Sequence, residues 1–102
     1  MNILADTHAH SLMSGHAYST IREMAAAAAK KGLKAMALTE HAPEMPGTCG
    51  KFYFDNLDFV PRTMEGVQML FGAELNIMDT EGTVDLPEET LRGDVYKRQP
   101  IR

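Results

Sequence analysis

Four histidines lie within the first 41 residues of this 102-residue chain, and none follows. They are His8, His10, His16 and His41. Neutral imidazole is a good ligand for zinc, manganese and iron, and carboxylate oxygens complete such sites where thiolates are scarce. Glu74 stands out among the carboxylates because it interrupts an apolar stretch of sequence. The residue types therefore indicate metal-assisted chemistry.

The spacing of His8 and His10 suits a shared metal ion. In a strand, residues two apart point the same way, with their Cα atoms about 6.6 Å apart. Each feature also has a plainer interpretation: a solvent-facing histidine pair, a hydrogen-bonded loop residue at His41, and a water-facing edge residue at Glu74. Asp6 has two open interpretations, since its carboxylate can orient a neighbouring imidazole or cap a turn.

The first 41 residues predict a strand, a helix and a second strand. Residues 3–5 form an apolar run that predicts a buried strand, followed by a loop at 6–8. Thr20 and Glu23 match a capping box, which predicts a helix that ends near residue 31. Residues 34–39 predict the second strand. A strand, helix and strand in succession are typical of a parallel α/β sheet.

The second half of the chain predicts a third strand. Glycines and prolines predict a loop over residues 42–49, and apolar residues at helical spacing predict a helix over 57–64. Residues 67–77 predict a buried strand that carries Glu74, and 83–86 a short further strand. A helix start is predicted at 87–89.

The parallel arrangement of the strands is expected to bring the candidate metal ligands together. The carboxyl ends of successive parallel strands lie at one edge of the sheet. We therefore expect His8, His10, His41 and Glu74 to converge on one face, with His16 at its rim.

Composition limits the remaining function classes. The net charge of −4 and the pI near 5.5 argue against a nucleic-acid partner. No apolar run approaches the roughly 20 residues needed to cross a bilayer, and residues 1–5 are too short for a signal-peptide core. Cys49 is the only cysteine, interpreted as an incidental loop thiol. These features predict a cytoplasmic α/β domain.

Four ordered motifs carry a family resemblance. They are DTHAHS at residues 6–11, GHAYST at 15–20, ALTEH at 37–41 and FGAELNI at 71–77. In order and spacing they resemble the PHP (polymerase and histidinol phosphatase) superfamily, and most closely its small stand-alone phosphatases of the YcdX type. The resemblance covers about residues 3–86.

The resemblance implies a distorted (βα)7 TIM-like barrel, of which this chain would supply three parallel strands with crossover helices. It also implies a trinuclear Zn2+ or Mn2+ centre. In that centre His8 and His10 would bind one metal, Glu74 would bridge it to a second, and His16 with His41 would bind the third. The implied reaction is hydrolysis of the phosphate monoester of a small molecule by a metal-bound hydroxide, with no protein nucleophile.

The chain departs from the family pattern at two points. Glu40 stands where the family has aspartate in its T-D-H motif, and the later histidines and the late Asp-x-His motif are absent. A complete barrel of this class has roughly 250 residues. We therefore expect a partial PHP domain over residues 1–92, inactive by itself, and a non-native tail over 93–102. The alternatives are a non-catalytic metal-binding module and a PHP segment of a DNA polymerase. The phosphate ester, the choice of metal and the oligomeric state stay open.

Overall fold

The computed structural model describes residues 3–92, which form a four-stranded sheet with helices. It contains the strands β1 (Ala5–Ala9), β2 (Ala35–His41), β3 (Thr63–Met64) and β4 (Val67–Glu74). In the sheet they follow the order β1-β2-β4-β3, in which β1, β2 and β4 are parallel and β3 is antiparallel to β4. The predicted α/β class with three parallel strands is confirmed, and the predicted tail over 93–102 lies outside the described residues. In chain order the elements are β1 (Ala5–Ala9), α1 (Ile21–Lys30), β2 (Ala35–His41), α2 (Lys51–Asp55), β3 (Thr63–Met64), β4 (Val67–Glu74) and α3 (Glu88–Arg92), with 3-10 turns at Leu12–Ser14 and Leu57–Phe59.

The helix α1 follows from local sequence signals. The Thr20 hydroxyl accepts a hydrogen bond from the Glu23 amide at 3.1 Å, and the Glu23 carboxylate accepts one from the Thr20 amide at 2.8 Å. Gly32 then adopts a left-handed φ of 80° just beyond the helix, where glycine carries little steric cost. The predicted capping box and helix are therefore confirmed. None of the helices within residues 3–92 is long and apolar enough to cross a membrane.

The strands β2 and β4 form the centre of the sheet. Their register runs from Ala35 opposite Gln68 to His41 opposite Glu74. One face of the pair joins the hydrophobic core with α1, as expected for parallel strands covered by a crossover helix. The core residues from these three elements include Ala25, Ala28, Met36, Leu38, Met69 and Phe71.

The first two strands extend further than predicted. The predicted first strand is present, but β1 spans Ala5–Ala9, so its predicted bounds of 3–5 and the loop predicted at 6–8 are wrong. Pairing with β2 continues across a register shift between Asp6 and Ala9, which keeps the backbone extended through His8. The strand β2 likewise includes His41 as its last residue. The candidate ligands His8 and His41 therefore lie within these two strands.

The predicted helix over 57–64 is wrong. A single 3-10 turn ends at Phe59, and Val60 is extended, because the ring of the following Pro61 disfavours helical backbone in the residue before it. Glu65 and Gly66 then have φ of 53° and 77°, the pair of positive values that a tight hairpin turn requires. The chain consequently forms the hairpin of β3 and β4 in place of a helix.

Three later predictions had different outcomes. The third strand ends at Glu74, short of residue 77, and the strand predicted over 83–86 is reduced to an isolated antiparallel bridge between Ile77 and Val84. The helix predicted to start at 87–89 is present as α3. Glu74 therefore lies at a strand end, where its side chain can meet residues from the neighbouring strands.

Candidate metal centre

The carboxyl ends of β1, β2 and β4 bring four of the five predicted metal ligands together. His41 ends β2, and its register partner Glu74 ends β4. His8 lies in β1, and His10 follows directly after that strand. Because the three strands run parallel, residues up to 66 positions apart meet at one edge of the sheet.

Glu74 is the centre of this cluster, with only 4% of its surface exposed. Its Oε1 atom lies 2.7 Å from His8 Nε2 and 3.1 Å from His10 Nε2. Its Oε2 atom lies 3.8 Å from His41 Nδ1. The two oxygens of one buried carboxylate therefore face different histidines.

The imidazole rings also contact one another. The rings of His10 and His41 are stacked, with centroids 4.4 Å apart and planes within 3°. The rings of His8 and His10 meet edge to face at 5.2 Å. The side chain of His8 is 50% exposed, whereas that of His10 is 25% exposed, so solvent reaches the cluster from the His8 side.

His16 lies at the rim, apart from the other four residues. It is exposed, and its Nε2 atom lies 3.3 Å from the carbonyl oxygen of Pro46. Its ring centroid is 6.2 Å from that of His41. His16 is therefore near the cluster but turned toward the loop that follows β2.

The donor set fits a divalent metal ion. One ring nitrogen from each of His8 and His10 and one oxygen of Glu74 all lie within 4.8 Å of one another. Two imidazole nitrogens and a carboxylate oxygen are ligands that zinc and manganese accept. The role of these residues as metal ligands, and that of His16 and His41, stays a prediction.

Sequence reasoning missed the buried network around Glu40. This carboxylate has no exposed surface, and its Oε1 atom accepts hydrogen bonds from the Ser11 amide and the Ser14 hydroxyl, both at 2.8 Å. Its Oε2 atom accepts from the Ser11 hydroxyl. The Ser14 oxygen in turn contacts His10 Nδ1 at 3.2 Å and accepts from the His41 amide at 2.9 Å. Glu40 is thereby connected to two candidate ligands.

A signal for Glu40 was present in the sequence. Glu40 interrupts an apolar strand, as Glu74 does, and it directly precedes a candidate ligand. Side chains alternate along a strand, so Glu40 and His41 point to opposite faces of β2. The Glu40 carboxylate therefore lies on the opposite face of β2 from the His41 side chain and is connected to the cluster through Ser14.

Burial near Glu40 suppresses ionisation of two further groups. Burial is the main cause that raises the pKa of the Cys49 thiol, with the Glu40 carboxylate adding to it. Burial, followed by the charge of the Glu40 carboxylate, also raises the pKa of the Tyr53 hydroxyl well above its usual range. A neutral thiol is a poor nucleophile, which favours the predicted interpretation of Cys49 as a loop thiol.

The structure shows which group the Asp6 carboxylate contacts. Its Oδ1 atom accepts a hydrogen bond from the backbone amide of His8 at 3.0 Å. This is a local hydrogen bond from the main chain to a side chain within β1, made to the backbone and not to the imidazole, and no turn is present there. Asp6 therefore supports the backbone at His8.

Asp85 holds the loop after β2 against the segment after β4. Its Oδ1 atom accepts from the Asn76 amide at 2.9 Å, and its Oδ2 atom accepts from Asn76 Nδ2 at 2.8 Å and from the Glu44 amide at 3.0 Å. Burial alone raises the pKa of the Asp85 carboxyl, but these hydrogen bonds outweigh it and lower its pKa below the ordinary value. The ionised carboxylate therefore stabilises the fold.

We expect Asp85 to contribute to acid sensitivity. A carboxyl whose folded-state pKa is lowered stabilises the fold fully above its unfolded pKa near 3.9, and this stabilisation is lost as the pH falls through the folded value. Asp85→Asn is expected to reduce the free energy of unfolding by about 1 kcal/mol at neutral pH and to have less effect as the pH approaches about 2. Denaturant titrations across this range measure it.

Asp58→Asn is the control for this measurement, because the Asp58 carboxylate is exposed and lies 3.9 Å from the Arg62 guanidinium. Its unfolding free energy at neutral pH should equal that of the unchanged chain to within about 0.5 kcal/mol. Parallel curves for Asp85→Asn and the unchanged chain down to pH 2 would contradict the role of the Asp85 carboxylate.

The fold and the site together define a class of protein. It is an α/β protein with a parallel sheet whose carboxyl edge carries a cluster of histidines around a buried glutamate. The chain belongs to the PHP domain family, whose sequence profile matches residues 6–97. The predicted family is therefore confirmed.

Curated relatives agree with this assignment. The chain is 52% identical over 91 residues to a protein of Caldicellulosiruptor saccharolyticus named "Probable phosphatase", a match that covers 89% of this chain and 38% of that protein. A probable phosphatase of Thermoanaerobacter sp. is 52% identical over 92 residues, with 90% and 38% covered. One of Aliivibrio fischeri is 50% identical over 90 residues, with 88% and 36% covered. The chain thus spans less than two fifths of the length of these relatives.

Proposed function

We propose that this chain is the N-terminal part of a metal-dependent phosphatase that hydrolyses phosphate monoesters. The observation that carries the proposal is the convergence of His8, His10 and Glu74, whose donor atoms lie within 4.8 Å of one another at the carboxyl edge of the sheet. The names of the relatives support the reaction class, since they are called probable phosphatases. A phosphorylated small molecule is the proposed substrate, and the relatives do not favour a polymerase segment or a non-catalytic module.

Each residue has a proposed binding role. His8 and His10 hold one Zn2+ or Mn2+ ion together with Glu74. Glu74 would bridge that ion to a second, and His41 with His16 would bind a third. The second oxygen of Glu74 lies 3.8 Å from His41, so this carboxylate lies between the two groups of histidines. Bound divalent ions neutralise phosphate oxygens and make water more acidic. The protein contributes by fixing the ligands on rigid strand ends and by leaving the exposed side at His8 open to the substrate.

The proposal includes completion of the fold by further chain. A groove of about 880 Å³ runs along the start of β1, and Ile3 and Leu4 beside it are 70% and 58% exposed. Exposed apolar residues next to an edge strand are typical of a surface that another element covers. We propose that additional strands close the sheet into a distorted (βα)7 barrel and bring the remaining metal ligands. Residues 1–92 then form the partial domain, 93–102 are a non-native tail, and the whole acts in the cytoplasm.

A chimera tests the function. Residues 6–92 of this chain replace the matched segment of the Caldicellulosiruptor saccharolyticus relative, and hydrolysis of an aryl phosphate is measured with zinc or manganese. We expect metal-dependent turnover, because the substituted segment supplies the same ligand cluster. His10→Ala in the chimera is expected to reduce turnover by about 100-fold or more, since loss of a ligand costs at least as much as loss of its supporting partner.

The control for the chimera is Glu44→Gln, which changes an exposed carboxylate in the loop after β2 and should leave turnover unchanged. The 102-residue chain alone is expected to show no turnover above background. Turnover of the chimera that resists both chelation and His10→Ala would contradict the metal-dependent function. Robust turnover by the 102-residue chain would contradict the requirement for further ligands.

A further inference from the structure

We infer that Ser14, held in place by the buried carboxylate of Glu40, is a positioning residue for the imidazole of His10. The inference rests on the proposed metal site, because it concerns how one of its ligands is oriented. The Ser14 hydroxyl lies between Glu40 Oε1 and His10 Nδ1, at 2.8 Å and 3.2 Å. Both Ser14 and Glu40 are fully buried, so water does not compete for these contacts.

The hydrogen bonds of Glu40 determine the direction of the Ser14 hydroxyl. Glu40 receives the Ser11 amide, the Ser11 hydroxyl and the Ser14 hydroxyl, a set of donors that suits a carboxylate, which only accepts. The hydroxyl of Ser14 has a single hydrogen, which it donates in the hydrogen bond to Glu40 Oε1. Ser14 Oγ is left with two lone pairs for its other neighbours.

Both lone pairs of Ser14 Oγ face groups that can donate. One accepts the amide hydrogen of His41 at 2.9 Å. The other faces His10 Nδ1, which must carry the ring hydrogen if it is to bond there. With the hydrogen on Nδ1, the lone pair of His10 lies on Nε2, the atom that is 3.1 Å from Glu74. The network therefore selects the form of His10 that presents Nε2 as the ligand.

Ser14 also couples two candidate ligands. It contacts the ring of His10 and the backbone of His41, whose rings are stacked within 3° of parallel. A single hydroxyl thus fixes the edge of one imidazole and the strand position of the other. Partners of this kind orient metal-bound histidines, and their loss typically weakens metal affinity by 10- to 100-fold.

Two matched substitutions separate positioning from a general structural role. Ser14→Ala and Ser11→Ala each remove one buried hydroxyl that donates to Glu40, but only Ser14 contacts the ring of His10. Zn2+ affinity of the 102-residue chain is measured by competition with a chromophoric chelator. We expect Ser14→Ala to weaken binding about tenfold or more relative to Ser11→Ala, at similar cost in thermal unfolding.

A second readout follows the ring itself. Nuclear Overhauser contacts of the His10 ring protons, recorded in the metal-free chain, show which ring edge faces residue 14. In the unchanged chain and in Ser11→Ala we expect the same edge of the His10 ring to face residue 14 at all times. In Ser14→Ala we expect contacts from both ring edges, because the ring is free to flip. Glu40→Gln, which keeps an oxygen acceptor for Ser14 and the shape of the side chain, is expected to retain the fixed edge.

The outcomes separate this inference from the proposed function. A His10 ring without a fixed edge in the unchanged chain, or equal effects of Ser14→Ala and Ser11→Ala on the ring and on zinc affinity, would overturn the inference. An unchanged chain with a fixed His10 edge that Ser14→Ala releases, but with no zinc affinity, would support the positioning role and refute the metal site. Should Ser14→Ala fail to fold, loss of the fixed edge in Glu40→Gln would overturn the inference, and its retention would support it.

Discussion

Glu74→Gln is expected to lower the zinc affinity of the chain by about 100-fold or more. Glu74 is 4% exposed and faces His8 and His10 through one oxygen and His41 through the other. Glutamine keeps the shape of the side chain but removes its negative charge, and the attraction between a cation and a carboxylate is strong where water is excluded. Competition with a chromophoric chelator at fixed pH measures the change.

Glu44→Gln serves as the matched control for Glu74→Gln, because it makes the same chemical change at an exposed position outside the cluster. Its zinc affinity should equal that of the unchanged chain. Equal affinities for all three proteins would show that zinc binds elsewhere, and the proposed metal centre would have to be abandoned. Thermal unfolding without metal shows whether each variant is folded before the comparison is made.

Gly15→Ala is expected to destabilise the fold by about 2–5 kcal/mol, a large part of the stability of a small domain. Gly15 has a φ of 78°, where a side chain costs roughly 1–2 kcal/mol. A Cβ atom at Gly15 would also lie 2.0 Å from the carbonyl oxygen of Gly47, and overpacking of this kind typically costs about 1–3 kcal/mol more. The new Cβ atom is attached directly to the backbone, and the Gly47 carbonyl is itself backbone, so neither can rotate away as the end of a flexible side chain would. Chemical denaturation measures the loss.

Gly47→Ala separates the cost of the positive φ from the cost of the close contact. Gly47 has a similar φ of 86°, but a Cβ atom there meets nothing within 4 Å. It is therefore expected to cost only about 1–2 kcal/mol. A loss for Gly15→Ala no greater than that for Gly47→Ala would mean that the close approach of the two loops is not required.

Gly15→Ala should also disturb the rim of the candidate site, where His16 lies. The loop that contains Gly47 also carries Pro46, whose carbonyl meets His16, and Thr48, whose hydroxyl donates to the His41 carbonyl at 2.6 Å. Displacing this loop moves it away from both histidines. Gly15→Ala is therefore expected to change the environment of the His16 ring, whereas Gly47→Ala leaves it near its original position.

Much of the fold followed from short-range sequence rules. The capping box of Thr20 and Glu23 and the left-handed Gly32 depend only on neighbouring residues, so the sequence predicts α1 correctly. The prediction of a helix over 57–64 was wrong, although the sequence contains Pro61 there, because apolar spacing does not distinguish a helix from a turn followed by a hairpin. The turn at Glu65 and Gly66 becomes recognisable only when β3 pairs with β4.

The sequence by itself determined which chemistry is available and which strand ends carry it. Histidines and a glutamate lie at the carboxyl ends of successive parallel strands, and parallel strands place these ends at one edge of the sheet whatever the details of packing. This is why the convergence of His8, His10, His41 and Glu74 could be predicted from a sequence in which they are far apart.

Only the tertiary structure decided how these residues are held. Strand alternation puts Glu40 behind His41, and the turn after β1 brings Ser11 and Ser14 to that carboxylate across about 30 residues of sequence. The close approach of Gly15 and Gly47 likewise sets His16 against Pro46. Such contacts depend on how distant segments pack, and no local pattern specifies them, because the side chains that meet share neither an element nor a sequence period.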